Sequence, residues 1–259
     1  MINPEEIGNI VRAEESLWWF RGMRRIAFTL LDPLIGSDPV ERIFEGGAGT
    51  GYFAALVAAR YRVPVVAADL DAQAVRISAR DHGIPSVQAD LLALPFRDRS
   101  FDLVLLMDVL AHFSPGEDCR AFSECARLVR PGGRLLVRTS ALEIFRSRHS
   151  EFVWERQRFT PGRLRNLAAG AGLEIERLTF ANCLLSPLAL FKFRIWEPLV
   201  RARPASGLTP LPAPVDRLFY AALSLESLLI RAGFRLPFGQ SLYLVARRPP
   251  EARRRRTGL

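Results

Sequence analysis

Two hydrophobic rhythms alternate along most of the chain. Short apolar runs over 42–45, 63–68, 86–89, 101–107, 134–139, 173–180 and 241–246 read as strands. The runs at 63–68 and 101–107 are almost wholly apolar, as strands buried on both faces must be. Helical windows separate them. Asp71 is placed to cap a helix ending before Gly83, Glu117 to Arg130 forms another that stops at Pro131-Gly132-Gly133, and Thr160-Pro161 opens a third. This order predicts an α/β fold with a doubly wound, mostly parallel sheet and an antiparallel last strand.

Two segments stand outside the alternation. Residues 4–31 carry apolar side chains at three- and four-residue spacing, among them Ile7, Ile10, Leu17 and Trp18, and predict an N-terminal helix punctuated by Pro33, Gly36 and Pro39. Residues 182–239 hold apolar helical windows at 184–200 and 215–230, joined by the linker RPASGLTPLPAP. An insertion of that length between strands is more often functional than accidental; it is expected to cap the site and select the acceptor, with extension of the core or a dimer interface as the equal alternative. The expected organisation is a helical segment over 1–40, a core over 41–181, the insertion or cap over 182–239, a last core strand over 240–248 and a basic tail over 249–259.

The chemistry concentrates where strands end. Residues 43–51 read IFEGGAGTG, a strand that closes on a carboxylate and runs through glycines into a helix. Gly46, Gly47, Gly49 and Gly51 let the chain turn tightly and let a ligand approach the main chain. A dinucleotide loop would place another glycine where Tyr52 stands, and Glu45 would repel a pyrophosphate, so the loop suits a cationic ligand better. Asp69, at the end of the second strand and followed by Leu70, is placed to grip a ribose diol, and Asp71 is better read as a helix cap. Asp90, beside Leu91, adds a third acid at the third strand end, suited to an exocyclic adenine amine. Taken singly, each aspartate fits a cap or surface role as well as a binding role; three acids at three successive strand ends favour binding.

These motifs resemble the class I methyltransferases that depend on S-adenosylmethionine (SAM), in particular the type 11 group known from bacterial polysaccharide and natural-product clusters. EGGAGTG matches the loop, AADLD the second strand, QADLLALPFRDRSFDLVLLMDVLAHF the third and fourth strands, and ECARLVRPGGRLLVRTS the helix, turn and fifth strand. EESLWWFRGMRR and LPFGQSLYLVARR extend the likeness to both flanks. The resemblance implies a Rossmann-like sheet and SAM as cofactor. It places Glu45, Gly47, Gly49 and Gly51 around the methionine part, Asp69 on the ribose, Asp90 with the Leu91 amide at the adenine, and Met107 with Asp108 along the floor. Trp18, Trp19 and Arg24 would close over the cofactor from the N-terminal helix.

Two departures matter. Where relatives often read VLEH this chain has Val109-Leu110-Ala111-His112, which removes an acid or metal ligand at 111. The stretch from His149-Ser150-Glu151 to Phe159 lacks one His and one Asp of the HDxxxxH segment many relatives carry. His112 is the best candidate base for an acceptor hydroxyl or amine, and a packing or capping role would suit it equally. No metal is expected.

Composition narrows the partners. The net charge is +9, but six arginines and one glutamate from Arg247 onward carry more than half of it. The chain lacks an Asn/Asp-Pro-Pro-aromatic motif and any aromatic-basic stripe, so nucleic acid is not the expected acceptor. Cys119, Cys125 and Cys183 fit neither a disulfide framework nor a paired metal site. Acidic residues near the start argue against a signal peptide, and the expected location is the cytoplasm, with peripheral membrane contact. The expected activity is methyl transfer to an O or N atom of a small-molecule, glycan or lipid-linked acceptor. The alternatives are a SAM-binding regulatory protein without turnover and a nucleic-acid methyltransferase.

Overall fold

The computed structural model describes residues 2–37 and 39–251. Helices α1 (Pro4–Ala13) and α2 (Trp18–Ser37) lead into β1 (Ile43–Gly46), α3 (Tyr52–Tyr61), β2 (Val65–Asp69), α4 (Ala72–Asp81), β3 (Ser86–Gln88) and β4 (Phe101–Met107). Next come α5 (Glu117–Leu128), β5 (Val129–Ser140), α6 (Arg148–Phe152), α7 (Pro161–Gly170) and β6 (Glu174–Ala181). The insertion supplies α8 (Ser186–Phe191), a π-helical turn (Lys192–Trp196), α9 (Glu197–Leu199) and α10 (Ala213–Arg231) before β7 (Ser241–Arg247). The basic-tail expectation falls almost wholly outside the described residues.

All seven strands join one sheet in the order β3-β2-β1-β4-β5-β7-β6. Every pairing from β3 to β5 is parallel, and β7 runs antiparallel to both β5 and β6, as expected of the last strand. The order reverses between β1 and β4, so their carboxyl ends diverge to leave the crevice in which doubly wound sheets bind ligands. Apolar clusters fill both faces, one built on Phe44, Val104 and Phe122, the other on Ile43, Leu103 and Tyr243. That two-sided burial explains the continuous apolar runs. Asp71 caps α4 by accepting from the amides of Gln73 and Ala74, and Thr160 caps α7 ahead of Pro161.

The N-terminal segment differs from the single helix its spacing predicts. It breaks at 14–17, because the Arg24 guanidinium donates to the Glu14 and Glu15 carbonyls and takes them from the helical ladder. At its other end α2 runs through Pro33 to Ser37, with Leu30 and Leu31 buried beneath it.

The insertion is fastened to this helix pair. On α10, Leu223, Glu226, Ser227 and Ile230 face inward, and Ser227 shares a hydrogen bond with Thr29 of α2. Asp216 accepts from the Trp18 amide and pairs with Arg21, while Trp18 packs edge-on against Phe219. The helices touch closely at Gly22, where a Cβ would lie 2.2 Å from Leu223 Cδ1 and 2.7 Å from its Cβ.

That contact sets a stability test. Gly22→Ala gains up to about 1 kcal/mol of helix propensity but overpacks at a cost of about 1–3 kcal/mol, so a net loss of about 1 kcal/mol is expected in urea unfolding. Gly36→Ala in the same helix meets nothing within 4 Å and should cost nothing. Equal effects of the two substitutions would show that the α2–α10 contact is not this tight.

Candidate functional site

A cavity of about 410 Å³ opens at the carboxyl ends of β1 to β4. The loop after β1 forms its floor and is held by hydrogen bonds that require its backbone path. The amides of Gly47 and Ala48 both donate to the Ala68 carbonyl, at 2.8 and 3.1 Å. Gly47 has φ +67° and a Cβ there would fall 2.3 Å from Val109 Cγ2, so both conformation and space demand glycine. Asp69 fastens the next turn, with Oδ2 accepting from the Gly49 amide at 2.8 Å and Oδ1 from the Asp71 amide at 2.9 Å. A carboxylate has lone pairs beyond these two, which leaves Asp69 able to accept from a ligand as well.

Of the sequence-predicted residues, Glu45, Gly47, Gly49, Asp69, Leu70, Asp90, Leu91, Met107, Asp108 and His112 all line this cavity. Gly46 and Gly51 do not. Gly46 lies beneath Leu91 and Leu106, and Gly51 abuts Ser78 of α4, so both serve packing of the loop.

Electrostatics centre on Glu45. Its side chain is buried, and Oε2 has no hydrogen-bond partner among the described residues. Burial pushes its carboxyl up to about 8, against the pull of nearby Arg138 and with the help of Asp69. A cation arriving there would favour the ionised form, and a buried acceptor without a donor is costly until a partner arrives. Burial also raises the Asp69 carboxyl, against the hydrogen bonds it accepts. Asp90 spends Oδ1 on the Leu92 amide at 2.9 Å, a local turn that aims the loop after β3.

Arg138, on β5 beside Met107, was not evident from the sequence. It is buried, ion-paired through two nitrogens to Asp108, and its guanidinium carbon lies 4.8 Å from the Trp19 ring centroid. Burial opposes its charge, but the Asp108 carboxylate and the Tyr243 hydroxyl together outweigh that and raise its pKa. Asp108 has φ +61°, a left-handed conformation uncommon for a side-chain-bearing residue, and its amide donates to the Arg138 carbonyl at 2.8 Å. β5 carries Arg130, Arg134 and Arg138, and nothing in its pattern singles out the third.

His112 ends a 3₁₀ turn, Val109–His112, directly after β4. Nδ1 is buried without a hydrogen-bond partner among the described residues, and burial lowers the imidazole pKa. It is therefore neutral near pH 7 and able to accept a proton, with Phe113, Glu117 and Arg156 lining the cavity alongside.

The lid comes from the N-terminus. Ile7, Ile10 and Glu14 of the first helical segment and Phe20 and Arg24 of α2 line the cavity, and Thr50 Oγ1 donates to Glu14 at 2.6 Å, pinning lid to loop. Burial raises the Glu14 carboxyl to about 7. Of the three residues expected to close over the cofactor, Arg24 does line the cavity, whereas Trp18 packs on α10 and Trp19 lies against Arg138. Glu14 was missed, although it sits in the EESLWWFRGMRR motif. No residue of 182–239 lines the cavity. Among the described residues, no group of three His, Cys, Asp or Glu side chains is placed to hold a metal ion.

Residues 44–137 match the family described as methyltransferase domain. The chain is 36% identical over 114 residues to the human protein named "Probable tRNA methyltransferase 9B", covering 44% of this chain and 24% of that one. It is 35% identical over 123 residues to a protein of Mycobacterium tuberculosis named as a probable S-adenosylmethionine-dependent methyltransferase, covering 47% of this chain and 42% of that one. The chain thus spans less than half the length of either relative. Among solved structures, geranyl diphosphate C-methyltransferase from Streptomyces coelicolor, in complex with Mg²⁺, geranyl diphosphate and S-adenosyl-L-homocysteine, superposes with a TM-score of 0.56 at 18% identity, over 86% of this chain and 78% of that one. The fold is that of the class I methyltransferases; the narrower likeness to polysaccharide-cluster members is not among these findings.

The buried acid at the centre of the site makes stability depend on pH. A carboxyl raised from 4.5 to about 8 binds a proton in the folded chain that the unfolded chain releases. Its contribution is thus complete below the unfolded value and lost as pH rises through about 8. Glu45→Gln is expected to raise the Tm of the ligand-free protein by a few degrees near pH 9 and by much less near pH 5, in scanning calorimetry. A Tm difference independent of pH would show that Glu45 ionises normally.

Proposed function

We propose that the chain is a class I SAM-dependent methyltransferase that transfers the methyl group of SAM to an oxygen or nitrogen atom of a small-molecule, sugar or lipid-linked acceptor. The observation that carries this reading is the convergence of Glu45, Asp69, Asp90 and the Gly47–Gly49 turn on one cavity, with His112 on its wall.

The residues present fit the cofactor. The unpartnered Oε2 of Glu45 meets the need of an ammonium group, Asp69 keeps lone pairs for a ribose diol, and Asp90 with Leu91 borders the place for an adenine. Bound there, SAM supplies an electrophilic methyl on a sulfonium. Arg138 lies beside Glu45 and is itself held by Asp108. The lid of Ile7, Ile10 and Phe20 excludes water from the reacting end and orders the acceptor. His112, neutral through burial, takes the proton released from the acceptor hydroxyl or amine.

Calorimetry with the full chain tests the cofactor assignment. Asp69→Ala should weaken SAM binding by about 1–3 kcal/mol, roughly tenfold or more, and Glu45→Ala should do likewise. Unchanged affinity in both variants would remove the assignment. Incubation with methyl-labelled SAM and fractionated cell extract tests the acceptor class. Label in lipid or small-molecule fractions supports the reading, label in RNA transfers it to nucleic acid, and binding without label in any fraction leaves a regulatory SAM-binding protein.

A further inference from the structure

Twelve of the seventeen large hydrophobic side chains exposed among the described residues fall between Leu184 and Phe234, within the insertion that does not line the cavity. They are arranged, not scattered. Leu188, Phe191, Ile195 and Leu199 recur at three, four and four residues along one run of helix, Leu184 lies in the turn before it, and each is 47–73% exposed. On α10, Leu218, Leu225 and Leu228, 49–65% exposed, lie opposite the face buried by Leu223, Ser227 and Ile230. Trp196, 52% exposed, adds an indole.

The charges around these residues have one sign. Lys192, Arg194, Arg201, Arg203, Arg217, Arg231 and Arg235 are all exposed. The acids of the segment are occupied inward: Glu197 and Glu226 are buried and accept from the amides of Arg148 and Leu184, and Asp216 is bonded to Trp18 and Arg21. The insertion's own exposed charges are therefore all cations, set among aliphatic and aromatic side chains. A second copy would bring like charges together, and nucleic acid would leave the aliphatic stripe with nothing apolar to bury against. An anionic lipid surface satisfies both components, as interfacial helices do.

We propose that the exposed face of α8 to α10 docks on anionic membranes and holds the catalytic cavity beside the lipid surface. Arg194 donates to the Glu143 and Ile144 carbonyls, at 2.7 and 2.8 Å, and Glu197 accepts from the Arg148 amide at 3.0 Å. Those partners follow directly after β5, so the stripe is tied to the sheet edge at which the cavity opens. Docking does not depend on methyl transfer; its use to reach a lipid-linked acceptor rests on the function proposed above.

Flotation of the full chain with vesicles of phosphatidylcholine alone, or of equimolar phosphatidylcholine and phosphatidylglycerol, tests the proposal. Binding is expected on the anionic vesicles only and should weaken as salt rises from about 50 to about 300 mM. Phe191→Ser with Leu199→Ser should lower the bound fraction about tenfold, and Lys192→Glu with Arg201→Glu comparably, with SAM affinity unchanged in calorimetry. Leu199→Ser alone, at the most exposed position, serves if the double apolar variant fails to fold. Brominated lipid should quench fluorescence in the intact chain and much less in Trp196→Phe. No flotation overturns the proposal, as does flotation unaltered by the apolar substitutions, which would assign binding to the arginines at 253–256. A dimer seen by sedimentation and lost in those same variants, with no vesicle binding, would give the face to a second copy. Loss of SAM binding with flotation intact would overturn the functional reading alone.

Discussion

A carboxylate held out of water at the carboxyl end of β1 governs the arrangement of the site. Glu45 is buried, keeps one oxygen without a donor, and is pushed up to about 8 as a result. Its neighbours are explained by that burden. Arg138 supplies the opposing charge from β5, and an arginine so buried needs its own anion, which Asp108 provides. Asp108 reaches Arg138 from a left-handed backbone position at the end of β4, the kind of local strain that surrounding structure must hold in place. A destabilised, ligand-ready acid is the usual cost of a binding site assembled before its ligand arrives.

The lid and the insertion belong to the same construction although only one of them meets the cavity. Glu14 joins the end of the first helical segment to Thr50 in the glycine loop, and Glu6 accepts from Asn9 and Ser206, linking that segment to the insertion. From the other side α10 packs on α2 at Gly22, Thr29 and Trp18. The insertion thus acts on the site by bracing the helices that cover it.

What could be read from the chain follows from which interactions leave a local pattern. The strands of the core, the last-strand reversal and the glycine loop were legible because two-sided burial writes continuous apolar runs and tight turns write glycines. Glu45, Asp69 and Asp90 were legible because each ends a strand. Arg138 and Glu14 were not, because their roles come from neighbours 30 and 36 residues away, Asp108 and Thr50. The break between α1 and α2 was hidden for the same reason: Arg24 competes for carbonyls that spacing alone assigns to the ladder. The insertion was recognisable as helical and apolar, but not the direction in which its apolar side chains point.

That direction follows from how the insertion satisfies its internal needs. Leu223, Ser227 and Ile230 supply the contact of α10 with α2, and Glu197 and Glu226 satisfy backbone amides at the joints with the core. Once these are in place the outward residues are left facing solvent, where polar side chains would ordinarily stand. Leu188, Phe191 and Leu199 nonetheless stand at positions half or more exposed. Isolated exposed hydrophobics need no explanation, but a stripe at helical spacing among the insertion's exposed cations does, since such a patch invites association whenever a surface of matching chemistry is near. The core therefore determines where the insertion sits, and the residues the core leaves free determine what it meets.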